Sequence, residues 1–279
     1  MRTVYDKLRD TDKFSIFVHI PKCAGTSAKE RINQVCIENG LEYRDHDMHA
    51  SLDSVMGYKN NYVVQLKDVL SDTGYTDATG DAYTFIKHPC EWYDSWFYYK
   101  KKYSKRHKTA VQPLTPLYSE SGDYKEAIKN SFKAEHITKV SHAVLQNGFC
   151  PAAWMNTFDI GFYTAWFLYC VSDHKKLFNN YRNYQGDELI TNCDFVYPSL
   201  KIHSTEDVIG TVDSKLSRFC KETPETNTPR LRQTKYEKNY IKCEDLLTSD
   251  TNLMHDFFWK ERFMLTLFKK ITEGEKRAR

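Results

Sequence analysis

One lysine, one glycine and two hydroxyl side chains crowd into the stretch from His19 to Ser27, at Lys22, Gly25, Thr26 and Ser27. The chemistry such a set performs is the holding of a phosphate ester. The lysine neutralises charge, the hydroxyls donate hydrogen bonds, and the glycine lets the backbone approach a ligand without a Cβ in the way.

Two elements must position this loop. Ahead of it, Phe14, Ile16, Val18 and Ile20 alternate with Ser15, Phe17 and His19. That near-continuous apolar run predicts a central strand covered on both faces. Pro21 stops the ladder because it has no N–H. Behind the loop, Thr26 and Ser27 are good helix-start residues. Ala28, Ile32, Val35 and Cys36 then form an apolar stripe at helical spacing, and Asn39-Gly40 is a helix stop. Backbone N–H groups at the start of such a helix point at an anion site.

The lysine precedes the glycine, so the loop does not fit the Walker A pattern G-x-x-x-x-G-K-[ST]. Pro-Lys-x-x-Gly-Thr-Ser instead resembles the 5′-phosphosulfate loop of the PAPS-dependent sulfotransferases, and most closely the branch of carbohydrate sulfotransferases and their bacterial relatives. The resemblance implies an α/β fold in which a central parallel sheet is flanked by helices, the P-loop-like sulfotransferase architecture. It implies PAPS as cofactor and PAP as product. Lys22 would be catalytic, and Lys22, Cys23, Ala24, Gly25, Thr26 and Ser27 would bind the cofactor. The plainer alternative is an ordinary strand–loop–helix connection.

A second segment, residues 82–97, again reads as strand, turn and helix. Tyr83, Phe85 and Ile86 are strand formers, Pro89 ends the strand, and a helix starting near Glu91 carries Trp92, Ser95, Trp96, Tyr99 and Tyr103 at helical spacing. The family places Arg-[Asp/Asn]-Pro-x-x-Arg-x-x-Ser here to grip the 3′-phosphate. Lys87, Pro89 and Ser95 fall on the first arginine, the proline and the serine, which assigns Lys87 and Ser95 to the cofactor. His88 stands at the aspartate position and Trp92 at the second arginine. Lysine is a point charge where arginine offers a bidentate fork, so the 3′ grip is weaker than the family's. The alternative is that Lys87 neutralises a strand end.

Relatives carry a catalytic histidine in a short run like His49-Ala50-Ser51, with His46 three residues earlier. An acceptor hydroxyl must lose a proton as the S–O bond forms, and a histidine of ordinary pKa is matched to take it. His49 or His46 as base, a surface histidine pair and a metal-ligand pair all stay open, and Asp45 or Asp47 could serve or orient the base.

Size and composition agree with a single sulfotransferase domain over residues 1–279, with a mostly helical acceptor-side insertion over about 109–185. Hydrophobic content of 41% and aromatic content of 14% supply a core, while a formal charge of +3 argues against a nucleic-acid coater. The opening residues are polar and mixed in charge, and the longest apolar run, residues 160–171, is too short for a bilayer. The expectation is a cytoplasmic protein without membrane or nucleic-acid partners, acting on a small molecule or carbohydrate, its oligomeric state left open. The eight cysteines form no CxxC pair, so no metal site is expected and the thiols read as reduced. Cys23, inside an electropositive loop, has no base partner that would make it a nucleophile.

Elsewhere, residues 100–108 form a basic helix end and residues 109–122 a loop. Residues 124–144 read as helix, and residues 149–171 as aromatic core in which Trp154 and Tyr163 could line an acceptor pocket. A strand is expected at residues 193–197 and a helix over 204–220 that opens with Thr205-Glu206-Asp207. His203 stands where relatives have an acid. Arg230, Arg232 or Lys235 would supply the cation missing at Trp92, with Arg232 assigned to the cofactor. An aromatic helix is expected over 251–268, with 273–279 frayed. The rival functions are a P-loop-type nucleotide kinase and a catalytically inactive PAP- or glycan-binding module of the same fold.

Overall fold

The computed structural model describes residues 15–20, 22–39, 81–106, 123–135, 151–171, 200–217, 220 and 240–278. In chain order the elements are strand β1 (Ser15–Val18), helix α1 (Gly25–Glu38), strand β2 (Asp81–Ile86), helices α2 (Pro89–Arg106), α3 (Tyr124–Ser131), α4 (Pro151–Phe158) and α5 (Phe162–Val171), strand β3 (Lys201–Ser204), a 3-10 turn (Thr205–Asp207), and helices α6 (Val208–Leu216), α7 (Cys243–Ser249), α8 (Thr251–Lys260) and α9 (Arg262–Ala278). The described residues are mostly helical, with one small parallel sheet flanked by helices. No helix among them is long and apolar enough to cross a membrane.

The chain divides into two compact bodies. The first holds the sheet, ordered β1-β2-β3. β1 runs parallel to β2 with Val18 opposite Thr84, and β2 parallel to β3 with Ile86 opposite Ser204. Parallel pairs need crossover connections, which is why these neighbours are far apart in sequence. The buried Thr84 hydroxyl donates to the Val18 carbonyl at 2.6 Å, adding a side-chain rung where β1 ends. Phe17 packs its ring on Tyr83 and Phe85 on one face, and Val18, Thr84 and Ile86 are buried on the other, so the strands are covered on both faces as the sequence pattern requires.

Helix α1 buries Ala28, Ile32 and Val35, the stripe expected from spacing, and packs against α6. It ends at Asn39, whose backbone N–H and side-chain Nδ2 both donate to the Val35 carbonyl. Two boundaries differ from expectation here. β1 ends at Val18, before the apolar run reaches Ile20, and α1 begins at Gly25 with Ala24 as its N-cap. Thr26 and Ser27 therefore lie inside the first turn and are not caps. Before α6, Ser204 and Asp207 are the capping side chains, accepting from the N–H groups of Glu206 and Gly210.

The second body is built on an aromatic core. Trp92 is fully buried and stacks on Tyr163 with centroids 4.4 Å apart and planes at 9°. Phe97 stacks on Tyr124 in the same way. α2 starts at Pro89, two residues before the expected Glu91, because proline at the first helical position sacrifices no hydrogen bond. The expected C-terminal helix is two helices broken at Glu261, and the second runs on to Ala278 where fraying was expected.

Glu261 explains the break. It is fully buried. Its Oε1 accepts from the Tyr93 hydroxyl at 2.6 Å and the Tyr163 N–H at 3.2 Å, while Oε2 accepts from the Thr164 N–H and hydroxyl at 3.1 and 2.7 Å. The carboxylate thereby caps α5 from 97 residues downstream of Thr164, satisfying N–H groups that a helix start leaves orphaned. Gly161 makes room for it, since a Cβ there would lie 2.1 Å from Oε1.

Candidate functional site

The phosphate-loop candidates lie together in the first body. After β1 the chain turns at Ile20, whose carbonyl accepts from the Cys23 N–H at 3.2 Å. Lys22 and Ala24 both take left-handed backbone angles, with φ of 65° and 58°. Non-glycine residues pay for that conformation in strain. The step from left-handed Ala24 into the right-handed helix that begins at Gly25 is a backbone geometry that can turn successive N–H groups toward one anion. α1 then begins, and Ala24 offers no capping oxygen while the first turn carries no acidic residue. The helix dipole is thus left uncompensated by the residues that usually compensate it.

The other side chains of the loop have distinct settings. Cys23 is buried, Lys22 and Ser27 are part-buried, and Thr26 is exposed. Gly25 has a different reason to be glycine than a close ligand. A Cβ at that position would fall 1.9 Å from Nε2 of His19. The imidazole, itself stacked on Phe17, occupies the space a larger residue would need.

Lys87 and Ser95 belong to the second body. Lys87 is held at the end of β2 by Tyr163, whose hydroxyl oxygen lies 3.3 Å from the Lys87 N–H and 3.4 Å from its carbonyl. Ser95 lies on the buried face of α2. Trp92, where the family's second arginine would fall, packs among Tyr93, Trp96, Phe162 and Tyr163. That position is core, because its neighbours are rings that a guanidinium could join only after losing its hydration. Trp154 and Tyr163 are buried as well, which is the core reading of both. His203 lies in β3, its ring against Phe85. His46, His49, Asp45, Asp47, Arg230, Arg232 and Lys235 lie outside the described residues, as does the strand expected at residues 193–197.

Among the described residues, three buried polar groupings have no sequence motif behind them. Arg31 of α1 pairs with Asp213 of α6 in the first body. Glu261 is the hub described above, and burial pushes its carboxyl up to about 7 despite four hydrogen bonds that favour the charge. The third lies where α2 and α7 begin. Here the Cys243 thiol hydrogen-bonds Cys90, which draws Cys90 down to about 7 and pushes Cys243 up. The His88 ring is raised by its own bond to Cys90. Asp94 ties the two helix starts together, accepting from the Cys243 N–H at 2.8 Å and the Tyr124 hydroxyl at 2.7 Å. Burial lifts Asp94 to about 6. The only sequence signals for this cluster are His88-Pro89-Cys90 and a Cys243-Glu244 pair far downstream.

No protein-family model, no curated protein and no solved structure matches this chain.

Proposed function

We propose that the chain is a sulfotransferase that moves the sulfuryl group of PAPS to a hydroxyl or amine of a small molecule or carbohydrate. The observation that carries this reading is the start of α1: two left-handed residues, one of them Lys22, lead into a helix whose N-cap supplies no oxygen. Such a terminus favours an anion, and its lysine stands at the loop's entrance, where the bridging oxygen beyond a 5′-phosphate would lie.

PAPS supplies an activated sulfuryl group. The amides and hydroxyls of Gly25, Thr26 and Ser27 hold the 5′-phosphate, with Cys23 and Ala24 shaping the turn. Lys22 stabilises the negative charge that grows on the bridging oxygen as its bond to sulfur breaks. Lys87 and Ser95 hold the 3′-phosphate, and Arg232 adds the cation that Trp92 does not. His49 or His46 takes the acceptor's proton as the new S–O bond forms. The work is positioning and electrostatics, as in phosphoryl transfer.

One observation favours a second reading, a module of the same fold that binds PAP or a glycan without catalysis. It is the burial of Trp92 at the second arginine's position. Transfer of labelled sulfate from PAPS to a panel of hydroxyl acceptors separates the two, and thermal shifts with PAP and ATP separate both from a kinase. The expected result is transfer that Lys22→Ala reduces by about two orders of magnitude or more, the usual cost of removing one oxyanion-stabilising group. Full transfer by Lys22→Ala overturns the mechanism.

A further inference from the structure

We propose that His88, Cys90 and Glu244 form a binding site for one borderline-soft divalent cation of the zinc class. The site is independent of the sulfuryl-transfer reading. Each residue offers one donor atom, and the three atoms lie within 4.8 Å of one another. Imidazole nitrogen, thiolate sulfur and carboxylate oxygen are the donors that zinc takes. One thiolate and one carboxylate also balance the charge of a divalent ion. Three protein ligands leave the fourth tetrahedral position for water or an exogenous ligand, the arrangement of zinc sites that do chemistry.

The cluster is built from two rigid supports. His88 and Cys90 are fixed by the opening turn of α2, where the His88 carbonyl accepts from the Trp92 N–H at 3.0 Å. Cys243 and Glu244 open α7, and Asp94 holds that helix start through the Cys243 N–H. The His88 ring packs edge-on against Phe268 and takes a long 3.3 Å contact at Nδ1 from the Cys90 N–H. That contact is weaker than an ordinary hydrogen bond of about 2.9 Å, so little is lost when the ring turns to a metal.

The movement required is small. Bonds of 2.0–2.3 Å in a tetrahedron put ligand atoms roughly 3.5 Å apart, so the donors need to close by about an ångström. Glu244 is exposed and free to swing, while Cys90 is buried and sets the floor of the site. Cys243, hydrogen-bonded to the Cys90 sulfur, is a positioning residue that steadies the ligand thiol from behind.

The test uses the full chain, kept reduced by a phosphine and titrated with Zn(II) alone and with Co(II) alone. The expected result is one equivalent of tightly bound metal, tetrahedral d–d bands and a thiolate-to-cobalt charge-transfer band. Cys90→Ser should abolish that band and weaken zinc by about a hundredfold or more, and His88→Gln should weaken it comparably. Because Cys90 is buried, Glu244→Gln at the exposed ligand supplies an arm that does not threaten folding. It should weaken zinc about ten- to a hundredfold while keeping the charge-transfer band. Cys243→Ser should keep both the band and the stoichiometry, with a smaller loss. No zinc binding by the reduced chain, cobalt without a charge-transfer band, or binding that Glu244→Gln and His88→Gln leave unchanged would overturn the assignment.

Discussion

Arg31 and Asp213 meet as a two-pronged ion pair, Nε to Oδ1 at 2.6 Å and Nη2 to Oδ2 at 3.0 Å, with the arginine fully buried. The pair joins α1 to α6 and so fixes the helix whose first turn is the candidate phosphate site. A buried pair is costly to break from one side, because the remaining charge is left without its partner. Asp213→Ala should therefore lower stability by about 3–5 kcal/mol, read from the urea midpoint by circular dichroism. An apolar double variant, Arg31→Met with Asp213→Leu, should regain most of that loss. Equal losses in the single and double variants would show that the pair's charge is not what matters.

Glu261 gives the second body a pH dependence of defined sign. Its folded pKa is about 7 against an ordinary 4.5, so the folded chain keeps a proton that the unfolded chain releases. The contribution to stability is complete below pH 4.5 and is lost as pH rises to about 7. At about 1.4 kcal/mol per unit the loss is on the order of 3 kcal/mol. Asp94, lifted from 3.8 to about 6 by burial, adds a loss of the same sign over a lower window. Urea midpoints across this range should fall more steeply for the native chain than for Glu261→Gln. Parallel curves for the two would remove Glu261 as the cause.

Gly25 and His19 make a pair that can be tested by size alone. Gly25→Ala forces the imidazole aside and should cost about 1–3 kcal/mol, as overpacking does. In a His19→Ala background the same change should cost little, since the ring that would be struck is gone. A thermodynamic cycle of the four chains measures the coupling. If Gly25→Ala is equally damaging in both backgrounds, the glycine serves the loop's backbone or a ligand instead.

Lys87 tests the second phosphate of the proposed donor. A charge-assisted hydrogen bond is worth about 1.5–3 kcal/mol, so Lys87→Ala should weaken PAP about ten- to a hundredfold. Lys87→Arg should hold PAP as well as the native chain or better, because the guanidinium fork grips phosphate in two places. Adenosine 5′-phosphate, which lacks the 3′ group, should bind all three chains alike. An equal loss for both ligands in Lys87→Ala would place the lysine elsewhere.

What the sequence made legible is what neighbours along the chain decide. The alternation before Pro21, the stripe from Ala28 to Val35 and the stop at Asn39 are signals within one or two turns, and the structure has all three. The parallel pairing of β1 with β2 was legible only as a fold class, because register depends on strands brought together by a long crossover. Arg31 and Asp213 were illegible, since each looks like an ordinary surface charge until two helices pack. Glu261 sits among apolar residues whose helical period runs through it, so a single long helix was the natural reading. Its burial among Tyr93, Tyr163 and Thr164 is what breaks the helix. The cluster at His88 escaped because metal-ligand spacings are recognised as paired motifs, and here one partner arrives from a distant helix. The early start of α2 was a misreading of Pro89, which ends a strand and begins a helix with the same ring.

The cap that Glu261 places on α5 reaches back 97 residues to the Thr164 N–H. During synthesis, then, α5 leaves the ribosome with an open end that closes only once residue 261 has followed it out. Domains ordinarily assemble from the N-terminus as they emerge. The second body is locked by a residue made long after its aromatic helices, so a chain cut short of residue 261 would hold those helices without the lock that fixes them.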